Sequence, residues 1–171
     1  MVDWPSNNPD CPIVATFFSF LGVAIALSLA CIGSGYGTAK SAIGVFAVCT
    51  IHPEFFYRGL LPIIMAGIVG IYGLVSAVIM GPSTDPPFHI FRGYARLAGG
   101  LSAGIAGLAS GITIGIAGDA AVRAIAEQPR LLMGAMLILI FGEILGLYGF
   151  IVCIILFGKQ AECGDQFIIP A

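Results

Sequence analysis

LLMGAMLILIFGEILGLYGFIVCIILF, residues 131–157, carries one charged side chain, Glu143, in an otherwise apolar run of 27 residues. A helix that crosses the hydrocarbon core of a bilayer needs about 20 such residues. The apolar positions are continuous rather than alternating, which favours a helix over a strand of a membrane barrel. This stretch therefore predicts a membrane-spanning helix that contains a single carboxyl group.

Three further apolar segments have similar lengths and cover residues 13–38, 60–80 and 95–117. The chain of 171 residues is 58% hydrophobic and 9% charged, so a soluble domain would lack the polar side chains needed to cover its surface. The polar N-terminus lacks the basic region of a cleaved signal peptide, and we expect the first span to be retained. The composition predicts an all-α integral membrane protein with four transmembrane helices.

Several other classes of site are disfavoured. The net charge of −2 argues against nucleic acid as a partner. His52 and His89 are isolated and lack the spacing of metal ligands, and IGSGYGTAK (32–40) lacks the preceding strand and the spacing of a phosphate loop. We therefore expect neither a metal nor a cofactor. Cys11 and Cys163 lie in the two tails, and a disulfide between them is left open.

The sequence contains an internal duplication. A shift of 76 positions gives seven identities between residues 53–75 and 129–151. Upstream, an offset of 81 pairs YGTAK (36–40) with AGDAA (117–121), which predicts a connection about five residues longer in the first half. Each half is thus expected to form a helical hairpin.

The duplication divides the chain into two tandem hairpins, a connecting loop and two tails. The expected limits are 1–12 for the N-terminal tail, 13–81 for the first hairpin, 82–94 for the loop, 95–157 for the second hairpin and 158–171 for the C-terminal tail. At the offset of 76, Glu143 of the second hairpin lies opposite Gly67. The first hairpin therefore has the matching sequence around this position but no acid.

Glycine recurs every three or four residues in the first and third segments, which places a small-residue face on each helix. In lipid, such faces let helix backbones approach closely. We expect them to pack copies of the chain into a tight ring or bundle, with ordinary packing inside one copy as the alternative. The positions expected in ring packing are Gly33, Gly37, Gly100, Gly104, Gly107, Gly111 and Gly115.

Glu143 is the candidate functional residue. An ionised acid at the bilayer centre costs at least about 2.5–3.5 kcal/mol on insertion scales, and apolar surroundings disfavour the charged form of a carboxyl group. We expect the resting carboxyl to be protonated and to carry one proton when its surroundings let it ionise. The alternative is a neutral side chain that only joins two helices. Ser110 and Thr113 either satisfy backbone groups or help to line an ion site.

Two other functions stay open at this point. A passive channel or junction-forming tetraspan protein would conduct ions without further subunits. A small secondary transporter would use the acid for proton-coupled export, but it would need polar or aromatic residues around a cavity, where this sequence has glycine faces. Sodium transport is disfavoured because Na⁺ needs several oxygen ligands and MAGIVGIYG (65–73) is apolar up to Tyr72.

Four motifs resemble the proteolipid c subunits of the vacuolar-type H⁺-ATPase. They are YGTAKSAIG (36–44), PIIMAGIVGIYGLV (62–75), GLASGITIGIAGDAAVR (107–123) and QPRLLMGAMLILIFGEILGLYG (128–149). The resemblance extends from about Cys11 to Phe157. It implies four-helix subunits assembled in a ring, with the first and third helices inside and the second and fourth outside.

The resemblance also implies roles for individual residues. Glu143 matches the family's essential proton-carrying glutamate, which reacts with carbodiimides, and Tyr72 and Tyr148 match paired tyrosines near that site. Gly142 stands where alanine or serine is usual, which would loosen the packing around the acid. A single acid in the last helix indicates the c or c′ type rather than c″.

The ion, the partners and the location follow from the same resemblance. Sodium-pumping relatives have polar side chains at the positions of Ile68 and Val69, so the resemblance favours a proton. The implied partners are other c-type subunits in a homo- or hetero-oligomeric ring, stator subunit a with its arginine, subunit d, the cytosolic V1 rotor and membrane lipid. The implied location is a vacuolar, lysosomal, endosomal, Golgi-type or plasma membrane. The basic residues lean only slightly toward luminal termini.

Overall fold

The computed structural model describes residues 14–81 and 89–158, and within these ranges the chain forms four long helices. They are α1 (Val14–Cys49), α2 (Phe56–Met80), α3 (Ile90–Glu127) and α4 (Leu132–Phe157). All four are long and apolar enough to cross a membrane, as predicted. The predicted tails apart from Gly158, residues 82–88 of the predicted loop, and the pair Cys11 and Cys163 lie outside the described residues.

A short 3-10 turn that begins with proline precedes the second helix of each hairpin. Proline suits this position because the first amides of a helix have no intrahelical partner. Residues 50–52 connect α1 to Pro53, whereas Gln128 alone connects α3 to Pro129. The predicted difference of about five residues between these connections is therefore wrong.

The two hairpins share equivalent internal contacts at an offset of 76. In each hairpin, two glycines of the second helix lie against small side chains of the first helix. The equivalent contacts are Gly70 on Ser34 with Gly146 on Ser110, and Gly73 on Ala30 with Gly149 on Ala106. The upstream offset of 81 is thus not the one used in packing. Helices rich in glycine and alanine allow several alignments, and side-chain fit selects one of them.

α1 and α3 pack through their glycine faces. A Cβ on Gly33 would come within 2.6 Å of the Leu108 Cα atom, and a Cβ on Gly111 would overlap the backbone of Gly33. This approach is possible only for residues without side chains. The seven glycines expected in ring packing are all buried inside the single chain, so they already hold its own helices together.

An ion cluster links α1 to α3 near the helix ends that lead to the 3-10 turns. One Asp119 oxygen lies 3.3 Å from Lys40 Nζ of α1, and the other accepts a 2.9 Å hydrogen bond from Arg123 Nε. Pairs at such partly exposed positions contribute about 0.2–1 kcal/mol each. Residues 32–40, which end at Lys40, lie in unbroken helix, which is not the geometry of a phosphate loop.

Candidate functional site

Glu143 lies on the side of α4 that faces α2. The buried positions of α4 include Gly142, Gly146 and Gly149, and these three glycines lie against α3. One residue along an α-helix turns the side chain by about 100°. The Glu143 side chain therefore leaves the α3–α4 contact and reaches the junction with α2, where it is half-buried.

Tyr72 of α2 is the hydrogen-bond partner of this carboxyl. Its hydroxyl donates to Glu143 Oε1 over 3.1 Å. The Tyr72 ring stacks on Phe150, with 5.8 Å between ring centroids and 23° between planes. Its main-chain carbonyl also accepts a 2.8 Å bond from the Ser76 hydroxyl. The phenol is thus fixed beside the acid by both helices.

The surroundings of the pair are apolar. Tyr72 and Glu143 line an open cavity of about 220 Å³ together with Ile140, Ile144 and Leu147. Apart from the phenol and the carboxyl, the cavity lining is purely aliphatic. Among the residues that line this cavity, the carboxyl has one polar neighbour, the Tyr72 hydroxyl.

Two hydroxyls near the site are used by the backbone. Ser110 donates a buried 2.7 Å hydrogen bond to the Gly142 carbonyl, which ties α3 to α4 one residue before the acid. Thr113 donates to Ala109 in its own helix over 2.8 Å. The alternative in which these side chains satisfy backbone groups is therefore confirmed.

The remaining predicted site residues occupy different places. Gly142 is buried against α3, where a Cβ would lie 3.2 Å from Ile114 Cγ1. The Tyr148 side chain is 60% exposed, because five residues of helix turn it about 140° from Glu143. Gly67 borders open space, since no described atom would lie within 4 Å of a Cβ there. Among the described residues, Tyr72 alone is in hydrogen-bonding contact with the acid.

Phe150 was missed by the sequence-based prediction, although a signal for it exists. It lies seven residues after Glu143, a spacing that returns a helix to the same face. Within the described parts of the chain, no group of three or more histidine, cysteine, aspartate or glutamate residues is placed to hold a metal ion.

Both halves of the chain match one protein family. Residues 21–80 and 97–156 each match the family of the C subunit of ATP synthase, and these ranges are again 76 positions apart. The V-type proton ATPase 16 kDa proteolipid subunit of Chrysotila carterae is 49% identical over 159 residues, which cover 90% of this chain and 97% of the relative. This chain belongs to the V-type proton ATPase 16 kDa proteolipid family. The predicted resemblance and the tandem-hairpin fold are thereby confirmed.

The site of this proteolipid has the chemistry of a one-proton carrier. The carboxyl can bind or release one proton, and the Tyr72 hydroxyl can donate to either of its protonation states. A hydrogen bond to the ionised form is the stronger of the two. Sodium would need several oxygen ligands, whereas Ile68 is apolar and Val69 is fully buried in the protein core.

Proposed function

We propose that Glu143 is the residue that carries the proton. The chain, as a V-type ATPase 16 kDa proteolipid, is a non-catalytic membrane subunit and the proton-carrying rotor of the Vo sector. The observation that supports this role is the position of the Glu143 carboxyl. It lies at the α2–α4 junction in a cavity with otherwise aliphatic walls, and the Tyr72 hydroxyl donates a hydrogen bond to it.

Transport would follow from the two charge states of this carboxyl. The protonated form is neutral, so it can face lipid at low cost, with Tyr72 donating to its carbonyl oxygen. Beside the stator, the arginine of subunit a would favour the ionised form. The proton would then leave toward the lumen, and another would be taken up from the cytosol.

The proposed assembly is a ring of such chains. α1 and α3 would line its inside, and α2 and α4 would form the outer layer that meets subunit a. Subunit d and the V1 rotor would turn the ring, driven by ATP hydrolysis elsewhere in the complex. Each proton moved against the membrane potential costs about 2.3 kcal/mol per 100 mV. The complex would acidify a vacuolar, lysosomal, endosomal or Golgi-type compartment, with luminal termini.

A carbodiimide experiment tests this role. Native vesicles treated with a hydrophobic carbodiimide should lose ATP-driven acidification in proportion to the modification of Glu143, mapped by mass spectrometry. Glu54 and Glu127, at the water-exposed helix ends, are the internal controls and should remain unmodified at the inhibiting dose. Inhibition that accompanies modification of another residue, with Glu143 intact, would overturn the proposal. Proton or solute flux through the purified chain alone would instead support a channel or transporter.

A further inference from the structure

The two hairpins pack alike around one serine each, but a hydrogen bond between their helices forms in only one of them. In both hairpins, a serine of the first helix lies against a glycine of the second. In the second hairpin, Ser110 also donates a buried 2.7 Å hydrogen bond to the Gly142 carbonyl. Among the described residues, its equivalent Ser34 forms no such bond to the carbonyl of Ala66. This hydrogen bond therefore distinguishes the hairpin that carries the acid.

The residue before the acid is held differently from its equivalent in the first hairpin. Ala66 is fully buried, and its side chain packs in a core cluster with Val69 and Ile114. Gly142, 76 positions later, has no side chain to pack, and glycine is the residue with the most backbone freedom. The Ser110 hydroxyl contacts the backbone at this point instead. A hydrogen bond thus replaces the anchoring that a buried methyl group provides in the first hairpin.

The bonded carbonyl belongs to the peptide unit that joins Gly142 to Glu143. A hydrogen bond to its oxygen restricts rotation of this peptide plane, and with it the direction in which the Glu143 side chain leaves α4. That direction leads to Tyr72, whose hydroxyl donates to Oε1 over 3.1 Å. Hydrogen bonds weaken steeply as their angles depart from the preferred range. A small rotation of α4 at this point would therefore separate the carboxyl from the phenol.

From this arrangement we infer that Ser110 is a positioning residue for the proton carrier. Its hydroxyl holds the peptide between Gly142 and Glu143 on α3, so that the carboxyl stays within reach of the Tyr72 hydroxyl. Ser110 acts through the backbone and takes no part in the transfer of the proton. The inference rests on the proposed role of Glu143 for its functional meaning, whereas the position of the carboxyl can be measured without transport.

Isotope labelling can observe the bonded carbonyl alone. Residues 142 and 143 form the only Gly–Glu step in the sequence, so ¹³C-carbonyl glycine combined with ¹⁵N-glutamate gives one directly bonded ¹³C–¹⁵N pair. Solid-state NMR of the full-length chain in lipid should show a changed carbonyl shift in Ser110→Ala, since the carbonyl then keeps only the intrahelical bond from the Gly146 amide. Ser34→Ala is the matched control and should leave the signal in place. An unchanged signal in Ser110→Ala would overturn the inference.

A double-mutant cycle measures whether the bond positions the carboxyl. In the wild-type background, Tyr72→Phe is expected to speed up carbodiimide modification of Glu143 by about fivefold to tenfold. In the Ser110→Ala background the carboxyl has already left the phenol, so the same substitution should add less than about twofold. In the Ser34→Ala background, which keeps the Ser110 bond, Tyr72→Phe should retain its full effect.

The size of the Tyr72→Phe effect separates positioning from packing. A packing role alone would change the amount of folded protein but not this ratio of rates. A full effect in the Ser110→Ala background would therefore overturn the inference, and so would the absence of any effect in the wild-type background, since the inference requires the Tyr72 bond. Both readouts concern the geometry of the Glu143 carboxyl, whereas the proposed function is judged by the loss of acidification, so the two can fail separately.

Discussion

At the scale of single residues, the site depends on where two similar tyrosines point. Tyr72 and Tyr148 occur in the nearly identical sequences GIYG and GLYG. Only Tyr72 reaches the carboxyl of its own chain, because it comes from α2 while Tyr148 shares α4 with the acid. The Tyr72 hydroxyl can donate to both protonation states of the carboxyl.

Tyr72→Phe removes the hydrogen bond that the phenol donates to the Glu143 carboxyl. A carboxyl released from this hydrogen bond should react with a hydrophobic carbodiimide about fivefold to tenfold faster, as expected for the loss of a hydrogen bond of about 1–1.5 kcal/mol. The measurement is the labelling rate in native membranes at constant pH. Tyr148→Phe removes the same hydroxyl from an exposed position and should leave the rate unchanged. Equal rates in Tyr72→Phe and the wild type would contradict the assigned hydrogen bond.

Much of the site could be predicted from the sequence, and the limit has a physical cause. Glu143 is identified by its cost in an apolar helix. Only the family resemblance places Tyr72 near it, and the hydrogen bond itself is not predicted, because helix sequence does not give the relative rotation of two helices. The same holds for the Ser110 hydroxyl, whose bond to the Gly142 carbonyl depends on the contact between α3 and α4.

At the scale of helices, glycine faces determine the packing. Gly111→Ala would place a Cβ on the backbone of Gly33, and backbone cannot yield as a flexible side chain can. We expect a loss of about 1–3 kcal/mol of stability from this overlap, seen as a lower melting temperature of the detergent-extracted protein. Gly134→Ala is the matched control, because a Cβ there would meet no described atom within 4 Å and alanine favours helix. Equal loss in both variants would contradict the assigned α1–α3 contact.

The helices themselves follow from the apolar runs, but their ends and register do not. α1 continues to Cys49, beyond the apolar segment 13–38, and this extension buries Val45 and Val48 against α3. The predicted offset of 81 between the first helices of the two hairpins is wrong because sequence identities alone do not fix how two helices pack. Identities among small residues are frequent by chance, whereas the contact of Gly70 with Ser34 and of Gly146 with Ser110 admits one offset.

At the scale of the whole molecule, a duplicated pair of hairpins carries an acid at only one of the two equivalent positions 67 and 143. The first hairpin keeps Gly67 at the position of Glu143, so packing does not require the carboxyl. The proposed account is therefore one transferable proton for each four-helix chain.

Glu143→Gln tests the central claim most directly. Glutamine keeps the size of the side chain and can still accept a hydrogen bond from Tyr72, but it cannot release a proton. Vesicles whose only proteolipid of this type is the variant should contain the assembled complex at the wild-type level and show no ATP-driven acidification above background. Acidification at the wild-type rate in those vesicles would contradict the claim that Glu143 carries the proton.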